Sequence, residues 1–481
     1  MVFGREKKIS ETAKNPKLDR ELPFTITLIT IMASAGISPF ESFRKIKDMD
    51  LLPATQKHSK NIVRQVEVLG EDPLTVIENN AKLSGSNAFQ TLLLGYVATV
   101  RTGGSIDNFM KSKLHAAFEL QTSISKQSIQ TLGMIVDAYM SVMVIALSSF
   151  SMIVSMSAIN LPIGNLPPIH IINMTVLIAI PLISVIFIAV ANTMRRSTII
   201  HVDMMFRNYL FPLIGVVVLM FIVALIPDIN VIVIQYISLP NLLLVLLIVA
   251  SIPPLIKYER MARLNASAER AMPIFIRSSV EARKTGLSPV KCIVQSSRGK
   301  NYGLFSKHLD VVADQLEWGV PLRRVFSNIR NEVKSWPVLM NIFILLEVIE
   351  TGGGFADSLE ALAESAERIQ NLEEETREML RPYIILPVMV TALLSFTTIV
   401  LIQSFTSIST ESLSVITELT VTLSITIILQ SYLTGFFIGK ITSGAFAAGF
   451  KYAILLAIIA GIAIIVTSQL DLNMGVVVGG K

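Results

Sequence analysis

A segment near residue 101 returns about 249 residues later in the same guise, and this internal repeat constrains the fold before any residue chemistry is considered. Arg101-Thr102-Gly103-Gly104 follows the apolar run 92–100, and Glu350-Thr351-Gly352-Gly353 follows the apolar run 342–349. Ala35-Gly36-Ile37-Ser38-Pro39 corresponds to Thr285-Gly286-Leu287-Ser288-Pro289, and Gly70-Glu71-Asp72-Pro73-Leu74 to Trp318-Gly319-Val320-Pro321-Leu322, at nearly the same offset. Three matches in one order at one period predict a duplicated domain.

The copies do not account for the whole chain. At 481 residues, 52% hydrophobic and a mean hydropathy of +0.61, it reads as a membrane protein. Residues 1–127 and 257–381 carry most of the charge, and the remainder holds runs of about 20 apolar residues, the length that crosses a hydrocarbon core. Seven spans are expected, at 132–158, 171–192, 209–226, 231–252, 383–405, 419–438 and 450–466. The segment 22–35, interrupted by Pro23 and dotted with Thr25, Thr27, Thr30 and Ser34, is too short and polar and reads as a buried helix. The N-terminus is charged and does not read as a signal peptide.

Charge orients the spans. Arg195, Arg196 and Arg207, then Lys257, Arg260 and Arg263, then Lys440 and Lys451 mark cytoplasmic connections, whereas the opposite loops carry Asp228, Glu411, Glu418 and Asp471. The N-terminus and both polar domains are then cytoplasmic and the C-terminus outside the cell membrane. Four crossings between the copies, an even number, agree with two equivalent domains on one side.

Within each copy the punctuation predicts short helices. Gly36 and Gly286 read as helix stops before Ser-Pro helix starts, Pro73 and Pro321 as further first-turn prolines, and the paired glycines after Thr102 and Thr351 as tight reversals. No strand alternation competes. The expected fold is all-α: a polytopic membrane protein with about seven transmembrane helices and two homologous cytoplasmic helical-bundle domains. The divisions are a charged segment 1–21, domain 22–130, four spans in 131–256, domain 257–381, three spans in 382–470 and an extracytoplasmic tail 471–481. Residues 355–381 show a helical apolar period with seven glutamates around it, running toward the Tyr383 span.

Catalytic chemistry is not evident. His58, His115, His170, His201 and His308 are scattered, and the single Cys292 excludes an internal disulfide framework or a cysteine metal cluster. Gly475–Lys481 matches the start of a phosphate-binding loop, but no Ser/Thr and no helix follow. Gly435–Lys440 has the wrong spacing for one. No catalytic residue, cofactor or metal is expected, and the net charge of +5 does not call for nucleic acid. Asp137, Gln430 and Pro181 are isolated polar or helix-breaking positions in the spans, so a membrane transporter or permease with duplicated cytoplasmic domains is the alternative reading.

The paired Gly-x-Ser-Pro turns, Gly/Pro-Leu helix starts and Thr-Gly-Gly turns resemble the F-domain family of type II secretion and type IV pilus machines, over about residues 22–150 and 266–400. The arrangement of two domains, four intervening spans and three following ones is similar to archaeal forms of that family. The resemblance implies an integral membrane platform protein of a type IV filament machine, with the archaellum slightly favoured over an adhesive pilus. Its implied partners are a cytoplasmic hexameric secretion-type ATPase, pilin-like filament subunits, the lipid membrane and, at the centre of the motor, a second copy of the chain as a homodimer. Candidate ATPase-docking residues are Arg44, Lys45, Lys47, Arg323 and Arg324, with the turns at Arg101, Gly103, Gly104, Glu350, Gly352 and Gly353. Arg101 in one copy against Glu350 in the other suggests two related but unequal surfaces.

Overall fold

A computed structural model describes residues 16–34, 36–158, 169–194, 199–200, 202–209, 211–213, 215–216, 218, 238–351, 355–408 and 413–478. The described residues are helical, with no strand among them, as the sequence leads one to expect. In the first copy, α1 (Pro16–Ser34) is followed by α2 (Pro39–Ile46), α3 (Pro53–Glu67), α4 (Pro73–Lys82) and α5 (Asn87–Arg101). The long α6 (Ile106–Ala158), α7 (Ile169–Met194) and α8 (Val202–Phe206) come next, and then α9 (Leu239–Lys284) enters the second copy. There α10 (Pro289–Gly299), α11 (Ser306–Glu317), α12 (Leu322–Glu332), α13 (Trp336–Thr351) and α14 (Phe355–Leu380) repeat the order of α2 to α6. The chain continues through α15 (Pro382–Ile408), α16 (Leu413–Ser443) and α17 (Gly449–Val478).

The repeat extends to backbone angles. Gly36 and Gly286 hold φ of 81° and 88°, and Gly70 and Gly319 hold 70° and 78°. Only glycine enters this left-handed region without steric cost, so each pair ends its helix by the same device. Ser38 caps α2 by accepting from Glu41 N–H, and Asp72 caps α4 by accepting from Thr75 N–H at 2.9 Å. The second copy departs in two details: Ser288 precedes α10 without a side-chain cap bond, and Pro321 is the cap of α12 and not its first residue.

A further equivalence is visible only in three dimensions. Ser86, the cap of α5, donates to Asp19 on α1, and Ser335, just before α13, donates to Glu269 on α9 at 2.7 Å. A carboxylate on the first helix of each copy thus fixes the start of its fifth. Glu21 adds a cap of its own, accepting from Ala54 N–H at 3.0 Å and Thr55 N–H at 2.7 Å at the open end of α3.

The structure divides into two compact units, Met1–Lys126 with Arg263–Glu374, and Gln127–Ala262 with Glu375–Lys481. The first unit holds both copies around one apolar core, in which Phe43 and Phe89 join Phe275, Phe305 and Leu345. Trp336 seals the junction: its indole N–H donates to Leu51 C=O at 2.9 Å, and its ring packs edge-on against Phe24 at 4.2 Å. Each large apolar side chain fully buried there contributes about 1.5–3 kcal/mol. The helix α1 begins earlier than expected and runs through Pro23. Its threonines are buried but satisfied, Thr25 and Thr27 by carbonyls one turn back and Thr27 also by Ser365 at 3.2 Å.

Six helices among the described residues are long and apolar enough to cross a membrane. They match the expected spans except 209–226, which lies mostly outside the described residues, as does most of the connection 159–170 between the first two expected spans. In the second unit, α16 and α17 form a hairpin whose backbones nearly touch. A Cβ on Gly439 would sit 2.2 Å from Gly449 N, and one on Gly435 would sit 2.2 Å from Ala453 N. The Gly435-Phe436-Phe437-Ile438-Gly439 stretch is therefore a small-residue packing face, the device that replaces the hydrophobic drive between helices in lipid. Gly439→Val is expected to cost at least about 2 kcal/mol, read as loss of monodisperse, heat-stable protein in detergent, since overpacking of this kind forces backbone shifts. Gly299→Ala, where a Cβ meets nothing, is expected to stay within about 0.5 kcal/mol of the native chain.

Candidate functional site

The basic residues at the end of α2 do not all face the same partner. Arg44 pairs with Glu67 at 2.9 Å and Lys47 with the same carboxylate at 3.7 Å, whereas Lys45 reaches Glu347 of the second copy at 2.8 Å. Glu347 lies on α13, in an otherwise apolar run, and is 2% exposed. Arg323, on the first turn of α12, also binds Glu347, at 2.8 Å, and grips Glu350 with two bonds of 2.7 and 2.6 Å. The structure thus gathers Lys45, Arg323 and Glu350 from the expected docking set around one buried carboxylate.

Electrostatics follow from that geometry. The hydrogen bonds that Arg323 donates to Glu350 raise its guanidinium further above its already high range. The same bonds hold the Glu350 carboxyl below the usual carboxylate range, with the charges of Arg323 and Lys45 acting in the same direction. Bidentate pairing of this kind is directional and fixes α12 against α13.

The opposite charges of Arg101 and Glu350 have a structural explanation. Arg101, at the end of α5, pairs with Glu78 on α4 at 3.0 Å, and Glu350, at the end of α13, pairs with Arg323 on α12. The same helix junction is closed in both copies by an ion pair of reversed polarity. Gly103 takes a φ of 71°, and a Cβ on Gly104 would press on Thr99 at 3.1 Å, so both glycines serve the turn itself. Gly352 and Gly353 lie outside the described residues. Arg324 stands apart: it is exposed and has no ion pair among the described residues. Glu347 is the residue that sequence reasoning missed, although a lone carboxylate in an apolar helix was the available signal.

In the second unit, Gln430 is not isolated. Its Oε1 accepts from Ser184 at 2.8 Å and its Nε2 donates to the Tyr139 hydroxyl at 2.9 Å, which also bonds Thr434 at 2.9 Å. This ties α6, α7 and α16 together with uncharged groups. Asp137, two residues from Tyr139, is exposed and does not join them.

Glu347→Gln leaves Lys45 and Arg323 without their shared anion. It is expected to lower stability by about 1–2 kcal/mol in denaturant unfolding, below the value for a fully buried pair because both cations are partly exposed. Glu41→Gln, in an exposed pair with Arg44, is expected to change stability by less than about 0.5 kcal/mol. Glu350 has a lowered folded pKa, so its contribution is complete above the unfolded value of about 4.3 and vanishes as pH falls through the depressed value. Melting curves of the native chain and Glu350→Gln should therefore differ near neutrality and converge in acid.

The family described as Type II secretion system (T2SS), protein F matches residues 275–403, which run from within α9, through α10 to α14, into α15. An uncharacterized protein of Methanocaldococcus jannaschii is 20% identical over 392 residues, covering 75% of this chain and 64% of that relative. The aligned part is thus just under two thirds of the relative's length. No solved structure matches the chain. Proteins of the matched family are membrane platform proteins and not enzymes, and they work with secretion ATPases and pilin-like subunits. Residues 275–403 of this multi-pass membrane protein are a domain of the type II secretion system protein F family.

Proposed function

We propose that this chain is the membrane platform of a type IV filament machine, coupling a cytoplasmic secretion ATPase to the assembly of pilin-like subunits. The observation that carries this reading is the protein F domain at 275–403. It is the second copy of a duplicated helical domain, within a chain that has six helices apolar enough to span a membrane among its described residues. In this reading the domains 22–130 and 257–381 and the N-terminus are cytoplasmic, as the lysine and arginine placement favours, and the C-terminus is outside. The archaellum is slightly favoured over an adhesive pilus on the arrangement of domains and spans, and a homodimer at the centre of the motor is part of the proposal.

The docking set narrows on structural grounds. Lys45, Arg101, Arg323 and Glu350 are engaged in pairs within their own unit, and Arg44 and Lys47 share Glu67. The exposed pairs of Arg44 and Arg101, worth about 0–1 kcal/mol each, can exchange partners on docking, whereas Lys45 and Arg323 are held by the buried Glu347; Arg324 needs no exchange at all. Arg324 is therefore the residue at which a charge reversal separates docking from folding.

Arg324→Glu is expected to abolish co-purification of a hexameric secretion ATPase with the detergent-extracted protein while membrane levels and melting temperature stay unchanged. Undiminished ATPase recovery would remove this surface from the docking site. Recovery of neither ATPase nor pilin-like subunits with the native chain, combined with substrate flux in proteoliposomes, would favour the transporter reading instead.

A further inference from the structure

Between α6, α15 and α16 lies a cavity lined by Tyr139, Met143, Thr391, Ser395, Gln430 and Thr434, with about 20 Å³ of room for the centre of a water molecule. About 10–15 Å³ on that measure suffices for one water, provided polar partners surround it. The wall contributed by α6 and α16 belongs to the hydrogen-bonded cluster of Tyr139, Gln430 and Thr434. The wall contributed by α15 does not. Ser395 is fully buried, lines the cavity, and its hydroxyl has no hydrogen-bond partner among the described residues.

Within its own unit Ser395 carries the one buried side-chain atom left without a partner among the described residues; the others, at Ser296 and Ser297 among them, lie in the first unit and line no such cavity. Two buried serines of the same unit, Ser184 and Ser251, bond the carbonyl one turn back, of Ile180 at 3.2 Å and of Leu247 at 2.6 Å. Ser395 forgoes that bond, and an unsatisfied buried hydroxyl is costly where no bulk water reaches it. Gln430 Oε1 accepts from Ser184, and an amide oxygen has a second lone pair to offer.

We propose that one ordered water molecule occupies this cavity, accepting or donating at Ser395 Oγ and bonding the Tyr139–Gln430–Thr434 cluster, so that α15 is joined to the cluster through water. The helix α15 then depends on a hydrated joint where α6, α7 and α16 are bonded directly. A water bridge is nearly as favourable as a direct bond and tolerates a change in separation better, because the water reorients.

X-ray hydroxyl-radical footprinting of the full chain in nanodiscs tests this, because a trapped water generates radicals beside its neighbours. Met143 is 1% exposed and lines the cavity, whereas Met272 at 1% and Met340 at 0% are buried in the apolar core of the first unit. The expected result is that Met143 and Tyr139 are modified severalfold faster than Met272 and Met340, and that Ser395→Val, which fills the space, brings Met143 down to their rate. Equal rates for the three methionines in the native chain would overturn the proposal, as would a fast Met143 that Ser395→Val leaves unchanged. Ser395→Ala gives an independent readout. A lowered melting temperature supports the water bridge, whereas an unchanged or raised one shows a dry, unpaired hydroxyl and contradicts it. If Ser395→Val fails to fold, the comparison within the native chain still decides.

Discussion

The burial of the two repeat copies against each other is the constraint on which the first unit rests. The helices α2 to α5, of 8 to 15 residues, are marginal in water on their own and gain their stability from packing into the core that both copies build. Trp336 from the second copy enters between Phe24 and Leu51 of the first, so the indole fills the joint and its one polar atom is satisfied there. The buried Glu347 imposes direction on the same joint: it accepts one cation from each copy, and only one register places Lys45 and Arg323 together on it. An apolar interface supplies most of the stabilisation, and the shared carboxylate selects its geometry.

The second unit solves the same problem in a different solvent. Apolar surface drives little association between helices when lipid is equally apolar, so close backbone approach and interhelical hydrogen bonds must take over. The glycines of α16 and α17 supply the first, and the Tyr139, Ser184, Gln430 and Thr434 cluster supplies the second. Both devices converge on α16, which packs against α17 on its glycine face and bonds α6 and α7 from its polar one.

Local features were legible in the sequence, and tertiary ones were not. The turns at Gly36 and Gly286 could be read because a left-handed residue is a local demand that glycine meets alone, and Gly70 and Gly319 prove to meet the same demand. The spans could be read because hydrocarbon sets a length. Asp19 with Ser86 and Glu269 with Ser335 could not, since their partners are 67 and 66 residues apart and nothing local marks them. Arg101 and Glu350 were legible as an asymmetry, yet its cause lay in Glu78 and Arg323, on a neighbouring helix. Gly435 and Gly439 failed as a phosphate loop for a sound reason, and their spacing of four was the signal for a helix-packing face. The likeness to a secretion platform rested on turn motifs in both copies, and the family match covers the second.

Two copies that share one apolar core open as one cooperative unit. Amide hydrogen exchange of the full chain in nanodiscs, followed through increasing denaturant, measures this most directly because it reports opening segment by segment. A shared core requires α1 to α5 and α10 to α13 to lose protection at one common midpoint, with Trp336→Ala shifting both together. Separate midpoints for the two copies, with Trp336→Ala moving the second alone, would contradict it.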